Sequence, residues 1–202
     1  VPKELNFRRR DVMSLLSQLI QLSCFVKYEY METNSRRFFE VSENEKGNQS
    51  LQGPILVGVN LRTPSNIGSL IRVADNFNCS KVLFVDSAPD YRERNIRKTA
   101  KTSFDAVEWT FCSIEALDSY IPSHYTKVAV ETSKDATSLY ETKLPKNSAF
   151  FVGNEKVGMD EATIAKLDQS IYIPMPGFNK SMNVSHAGAV IISEWLRQQL
   201  QS

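Results

Sequence analysis

The chain has 202 residues, 42% of them hydrophobic and 23% charged, with a formal net charge of +1. This length suits one compact domain with an appendage, and the nearly neutral total means that affinity for nucleic acid must come from local basic clusters. Three cysteines without a CxxC pair and only two histidines argue against disulfides and structural zinc, and no apolar run approaches a membrane span. We therefore expect a cytoplasmic protein that binds no metal and no membrane.

The N-terminal quarter differs in pattern from the remainder. Apolar residues recur at helical spacing between Val12 and Leu22, and residues 43–52 are polar without periodicity. This pattern predicts a helical appendage and linker over residues 1–52, followed by a separate domain over residues 53–202.

Residues 53–202 alternate between short apolar runs and amphipathic segments. The apolar runs, predicted as strands, are Ile55–Val59, Lys81–Val85, Lys127–Val130, Ala149–Val152 and Ile171–Ile173. The predicted helices are Ile67–Phe77, Arg94–Thr102, Ile114–Tyr120, Glu161–Leu167 and Val184–Gln199. Such alternation predicts an α/β fold with a mostly parallel sheet and helices on both faces. Ligands of such sheets bind beyond the carboxyl ends of the strands.

The loop after the first strand leads into a helix that carries Asn66 and, six residues later, Arg72. Ser65 or Asn66 could simply cap that helix, since both residue types are preferred there, with Arg72 in solvent. Alternatively, the amide and the guanidinium could converge on a phosphate or a ribose. These residues by themselves leave both interpretations open.

Two further loops follow predicted strands. Gly153–Gly158 has two glycines that let the backbone approach a ligand, although an ordinary strand-to-helix turn fits the same residues. Residues 174–183 contain two prolines, which lack N–H donors, and Gly177, which permits a positive φ. The loop of residues 174–183 is suited to shaping a binding site, but the sequence also allows a plain connection.

Several common nucleotide and hydrolase motifs are absent. The eight glycines form neither GxGxxG nor GxxxxGK[ST], and the chain has no GxSxG. These absences argue against a nucleotide-dependent oxidoreductase, a P-loop NTPase and a Ser-His-Asp hydrolase.

Taken in order, the three loops resemble the motifs of the SPOUT superfamily, specifically the TrmH/SpoU group of RNA ribose 2′-O-methyltransferases. Asn66 and Arg72 match an Asn followed six residues later by an Arg. Gly153–Gly158 matches Gly-x-Glu-x-x-Gly, and Ile173–Ser185 matches Ile-Pro-Met-x-Gly followed by Ser-Leu-Asn-Val-Ser. Met182 stands in place of the usual Leu, a change that conserves volume. The resemblance covers roughly three quarters of the chain.

This resemblance implies a trefoil knot near the C-terminus, S-adenosylmethionine as cofactor, and a homodimer with the site at its interface. It implies RNA as the substrate, with a guanosine of tRNA first and rRNA second. A non-catalytic RNA-binding protein that keeps the knotted fold is the alternative from another class. The presence of Asn66, Arg72, Glu155 and Asn183 argues against that alternative.

The resemblance also implies roles for individual residues. The implied catalytic residues are Arg72, Asn66, Ser181 and Asn183. Arg72 would act either as a base assisted by an RNA phosphate or as an electrostatic clamp. The implied cofactor contacts, partly through the main chain, are Gly153, Asn154, Glu155, Gly158, Ile173, Met175, Met182 and Asn183.

Basic residues supply candidate contacts to RNA phosphates. Four of them share one face of the predicted helix Arg94–Thr102, where Glu93 is the only acidic residue expected to oppose them. The complete set of candidates is Arg62, Arg94, Arg97, Lys98, Lys101, Arg8, Arg9 and Arg10. Solvated helix faces without a ligand are the alternative for each cluster.

Overall fold

The computed structural model describes residues 51–87 and 92–201. The predicted N-terminal helix and the candidate RNA contacts Arg8–Arg10 lie outside these residues. The division of the chain at residue 52 therefore stays a prediction.

The described part of the chain contains one seven-stranded sheet. Its strands are β1 (Ile55–Val59), β2 (Lys81–Val85), β3 (Trp109–Cys112), β4 (Thr126–Val130), β5 (Thr137–Ser138), β6 (Ser148–Val152) and β7 (Gln169–Tyr172). The strand order is β3-β2-β1-β6-β4-β7-β5, and every described pair is parallel. The predicted α/β fold with a parallel sheet is confirmed.

β1 and β6 form the centre of the sheet. They lie side by side with Val57 opposite Phe151, and every residue of both strands is buried. Burial on two faces explains why both strands are continuous apolar runs rather than alternating patterns. It also explains why the sequence predicted them within one residue of their ends.

Five α-helices connect or follow the described strands. They are α1 (Pro64–Asn76), α2 (Glu93–Ala100), α3 (Ser103–Ala106), α4 (Glu161–Ile164) and α5 (Val184–Leu200). Two 3-10 turns lie at Leu117–Ser119 and Leu139–Glu141. No helix among the described residues has the length and apolar character needed to cross a bilayer.

The two faces of the sheet are covered unequally. Leu70 of α1, Ile96 of α2 and Ile191 of α5 pack in one cluster on the first face. On the second face, Leu117 of a 3-10 turn and Ile164 of α4 belong to a separate cluster. The predicted cover on both faces is confirmed, but short turns supply the second layer.

Two predicted helices are shorter than expected. The segment predicted as Ile114–Tyr120 forms only the turn Leu117–Ser119, and the one predicted as Glu161–Leu167 ends at Ile164. Helix α4 buries none of its residues fully, so tertiary packing does not extend it beyond the turn that Asp160 caps. Amphipathic spacing alone overestimated both lengths.

The sequence missed β3, β5 and α3. All four residues of β3 are only half-buried, and β5 consists of two residues, so neither forms an apolar run. Strand β3 is an edge strand whose aromatic residues pack on α3: the ring centroids of Trp109 and Phe104 lie 5.0 Å apart. This contact depends on tertiary packing.

Trp195 attaches the C-terminal helix to the rest of the domain. Its side chain is fully buried in the first cluster, and its indole N–H donates to the Pro145 carbonyl oxygen over 3.0 Å. Removing the ring would create a cavity and take away one of two hydrogen bonds to that carbonyl, which also accepts from the Ser148 hydroxyl.

We predict that Trp195→Ala lowers the free energy of unfolding by about 3–5 kcal/mol, the usual cost of deleting a buried aromatic ring. Leu200→Ala is the control, because Leu200 lies in the same helix but is 51% exposed. Urea denaturation of both variants measures the difference. Equal midpoints for the two variants would contradict the placement of Trp195.

Candidate functional site

Three loops meet at one edge of the sheet. They follow the carboxyl ends of β1, β6 and β7, and the order β1-β6-β4-β7 puts these ends close together. The parallel pairing therefore assembles segments that are up to 117 residues apart in the chain.

Asn66 joins the three loops through its side chain. Its Nδ2 donates to Oε1 of Glu155 in the second loop, and its Oδ1 accepts from Nδ2 of Asn183 over 3.2 Å. The N-cap of α1 is Thr63, which makes no side-chain capping bond, with a proline at the start of the helix. Capping by Asn66 or Ser65, one of the two sequence interpretations, is therefore wrong.

The second loop is shaped by the buried side chain of Asn154. Its Oδ1 accepts from the backbone N–H groups of Lys156 and Val157 over 2.8 and 3.3 Å. Its Nδ2 donates to the Asn60 carbonyl oxygen over 2.7 Å, which ties this loop to the end of β1. The turn ends at Gly158, whose φ of +66° is unfavourable for any residue with a Cβ.

The third loop ends at a capped helix. Oδ1 of Asn183 accepts from the backbone N–H of Ser185 over 2.9 Å, so Asn183 is the N-cap of α5. Ser181 is exposed, and its N–H and hydroxyl both donate to Oδ1 of Asn179 over 3.0 Å. Gly177 has no positive φ, and a Cβ there would meet nothing within 4 Å. The expectation that Gly177 supplies special backbone freedom is therefore wrong.

A cleft of about 200 Å³ lies between the second and third loops. Seven of the eight predicted cofactor residues line it: Gly153, Asn154, Glu155, Gly158, Ile173, Met175 and Met182. Asn183 does not line the cleft, although its chain neighbours on both sides do. The predicted residues thus converge on one cavity.

Sequence reasoning missed part of the cleft wall. Glu131 and Thr132, which follow β4, line the cleft, and so does Lys180, whose Nζ donates to the Met175 carbonyl oxygen over 2.6 Å. The sequence did contain a signal for Glu131, because it follows a predicted strand directly at the carboxyl end. Its importance depends on β4 lying between β6 and β7.

Arg72 is exposed on α1, about 9 Å along the helix axis from Asn66. Its side chain forms no hydrogen bond or ion pair with any of the residues that the structure describes. Of the four predicted catalytic residues, the structure connects Asn66 and Asn183 directly. Arg72 and Ser181 keep their side chains available at the surface.

The basic cluster on α2 differs from its prediction at Arg97. This guanidinium bonds Asp105 over 2.5 Å and Glu93 over 3.0 Å, and it lies 3.9 Å from the centre of the Phe104 ring. The hydrogen bond to Asp105, followed by that to Glu93, raises the pKa of Arg97. Glu93 is therefore not the only opposing acid, and the charge of Arg97 is locally neutralised.

Arg62, Arg94, Lys98 and Lys101 are also exposed. None of the four forms an ion pair with another residue in the described part of the chain. They retain a positive surface suitable for phosphates. Over the same residues, no group of three or more His, Cys, Asp or Glu side chains could hold a metal ion.

Residues 53–193 match the SpoU rRNA Methylase family. The chain belongs to this family. The match spans all three loops and ends within α5. It confirms the resemblance that the motifs indicated.

Relatives of this SpoU family chain include two tRNA (guanosine(18)-2′-O)-methyltransferases. The enzyme of Thermus thermophilus is 29% identical over 151 residues, which are 71% of this chain and 74% of that protein. The mouse (Mus musculus) protein TARBP1 is 29% identical over 160 residues, 75% of this chain but only 10% of the relative. The chain thus spans about a tenth of the length of the mouse protein.

Solved structures of SpoU methyltransferases share the fold. AviRb from Streptomyces viridochromogenes, in complex with the cofactor AdoMet, superposes with a TM-score of 0.65 at 21% identity. The superposition covers 75% of this chain and 59% of AviRb. At this identity the likeness establishes the α/β architecture of the SpoU family chain.

We predict that two substitutions separate the two roles of Asn183. Asn183→Ala removes the cap of α5 and lowers the free energy of unfolding by about 1 kcal/mol. Asn183→Asp keeps an oxygen for the Ser185 N–H, so its stability stays close to that of the unsubstituted protein, but it loses the donor to Asn66. Denaturant unfolding tests this ranking, and equal destabilisation by both substitutions would contradict it.

Proposed function

We propose that this SpoU family chain transfers a methyl group from S-adenosylmethionine to a ribose 2′-hydroxyl in structured RNA. The first substrate we propose is a guanosine of tRNA, and rRNA is the second. The observation that carries this proposal is the meeting of the three loops at Asn66, beside the cleft that the predicted cofactor residues line. The Thermus and mouse relatives, named for this reaction on guanosine 18, support tRNA as the first substrate.

The composition of the cleft fits S-adenosylmethionine. Ile173, Met175 and Met182 offer apolar surface for an adenine ring and methylene groups. The cleft walls carry charges of both signs, from two glutamates and from Lys156 and Lys180, which suits a cofactor that holds a sulfonium, an ammonium and a carboxylate. The bound cofactor would supply an activated methyl group for displacement at carbon.

Arg72 would act on the RNA side of this reaction. Because a guanidinium holds its proton strongly, we propose that Arg72 clamps an RNA phosphate or ribose and favours the developing alkoxide electrostatically. Its exposed side chain, without an acidic partner among the described residues, supports that role. Proton acceptance by Arg72 with help from an RNA phosphate is the second mechanism.

Asn66, Asn183 and Ser181 would hold the substrate in line with the methyl group. Asn66 is fixed on both sides by Glu155 and Asn183, so little conformational freedom remains to be lost on binding. Ser181 keeps its exposed position through Asn179 and could contact the ribose or the phosphate.

RNA docking is proposed for the free basic residues. Arg94, Lys98 and Lys101 on and after α2, together with Arg62 beside the first loop, would contact phosphates. Arg97 is removed from this set because its guanidinium forms ion pairs with Glu93 and Asp105. Arg8–Arg10 remain proposed contacts on an N-terminal helical appendage.

A C-terminal trefoil knot and a homodimer complete the proposal. The order of the family motifs supports the knot, and α5 packs against residues 142–145 through the donors Trp195 and Gln198. Phe178 at the site is fully exposed, and this apolar surface supports a second copy at the interface. We propose a cytoplasmic location.

A non-catalytic RNA-binding protein with the same fold is the alternative function. Titration calorimetry with S-adenosylmethionine separates the two, since a scaffold has no need of the cofactor. Mass spectrometry of 2′-O-methylated nucleosides in tRNA and rRNA, with and without the protein, then identifies the substrate. Absence of cofactor binding together with unchanged nucleosides would contradict methyl transfer.

We predict that Arg72→Ala retains binding of S-adenosylmethionine but loses at least about 100-fold in methyl transfer, as expected for loss of a group that stabilises developing charge. Arg197→Ala is the matched control, because Arg197 is an exposed helical arginine that pairs with Glu194 outside the site. Calorimetry and a methyl-transfer assay measure the two effects. Full activity of Arg72→Ala would refute its assignment.

We predict that Arg94→Gln combined with Lys98→Gln raises the KM for tRNA and makes it less dependent on salt. The slope of log affinity against log salt should fall by about 1 for each phosphate that the variant protein no longer neutralises. Arg97→Gln is the control and should change the slope little, because two carboxylates already neutralise that charge. Equal effects of the double variant and the control would rule out this docking surface.

A further inference from the structure

Glu131 lies at the centre of the site, although none of the family motifs includes this residue. It follows β4 directly, and β4 lies between β6 and β7, the two strands that carry the cleft-forming loops. Its backbone N–H donates to the Ile171 carbonyl oxygen over 2.9 Å, which fixes the residue against β7. The side chain is half-buried and lines the cleft.

The Glu131 carboxylate binds backbone on both of its oxygens. Oε2 accepts from the N–H of Met159 over 3.0 Å, and Oε1 accepts from the N–H of Thr132 over 3.0 Å. Hydrogen bonds to an ionised carboxylate are stronger than those between neutral groups. The bond to Met159 therefore fastens the second loop at the residue that follows Gly158.

Gly158 is fitted to this carboxylate. A Cβ on Gly158 would lie 2.6 Å from Oε2 of Glu131, which is closer than van der Waals contact allows. The positive φ of Gly158 is a second and independent reason for glycine there. The glycine therefore gives the carboxylate room to reach the Met159 N–H.

The second loop is thus held at both ends. Asn154 ties its beginning to the Asn60 carbonyl oxygen, and Glu131 ties its end through Met159. Glu155 lies between these two anchors, where its carboxylate accepts from Asn66. Without the second anchor, the turn would lose the bond that fixes its C-terminal end next to β4.

We propose that Glu131 is a positioning residue that holds the loop Gly153–Gly158 in the conformation that binds the cofactor. The proposal rests on the function proposed above, since it takes S-adenosylmethionine as the ligand of the cleft. Glu131 acts through the backbone of the loop, so its loss should weaken cofactor binding more than it slows the chemical step.

The first test compares Glu131→Ala and Glu131→Gln with the control Glu141→Gln, an exposed glutamate without a side-chain partner among the described residues. We expect Glu131→Ala to raise the KM for S-adenosylmethionine about tenfold, the loss of about one charge-assisted hydrogen bond, with kcat changed less than about threefold. Glu131→Gln keeps one oxygen for the Met159 N–H and should fall between Ala and the unsubstituted protein. An unchanged KM in Glu131→Ala would overturn the proposal.

The second test needs no cofactor. Backbone amide exchange of Met159, followed by NMR in the free protein, should accelerate in Glu131→Ala relative to Glu141→Gln, while exchange in β6 stays unchanged. If the unsubstituted protein binds no S-adenosylmethionine, the proposed function fails, whereas exchange at Met159 still decides whether Glu131 holds the loop. Unchanged exchange at Met159 would contradict that role.

A double-mutant cycle provides the third test. Gly158→Ala should disturb amide exchange of the loop strongly in the unsubstituted protein, because its Cβ meets the carboxylate of Glu131. The additional effect of Gly158→Ala should be smaller in the Glu131→Ala background, where only the strain of the positive φ remains. Strictly additive effects would show that the two residues are not coupled and would count against the proposed fit.

Discussion

The parallel pairing of β1, β6, β4 and β7 is the constraint on which the site depends. Parallel neighbours bring all of their carboxyl ends to one edge of the sheet, and these four strands are adjacent. The loops that follow them therefore have to share one region of space. Burial of β1 and β6 on two faces favours this pairing, because a shift in register would move closely packed side chains into the wrong cluster on either face.

Within that region, side-chain acceptors determine the path of the backbone. Asn154 holds the start of the second loop, Glu131 holds its end, and Asn183 holds the start of α5. Each one accepts hydrogen bonds from N–H groups that regular secondary structure leaves without a partner. Asn66 then connects the fixed loops to each other. A site built this way is largely formed before a ligand arrives, which lowers the entropic cost of binding.

The sequence predictions were accurate where the deciding interactions join residues close in the chain, and inaccurate where they join distant residues. Strands buried on two faces were predicted closely, and the last helix was correctly predicted to begin at Val184, because apolar runs and helix-start preferences are local. The segment predicted as the helix Ile114–Tyr120 forms only one turn, and the edge strand β3 was missed. Both elements depend on their packing against the rest of the sheet. The neutralisation of Arg97 by Asp105 was likewise invisible, because α2 and α3 have to pack before these residues meet.

By itself, the sequence determined the alternation of strands and helices, the three motif loops and eight of the sixteen residues that line the cleft. Backbone propensities and motifs depend on residues that are close together in the chain. Only the tertiary structure decided that Asn66 bridges rather than caps, that Gly177 needs no special conformation, and that Glu131 belongs to the site. Each of these depends on atoms that are brought together by pairing between strands distant in sequence, which no local pattern specifies.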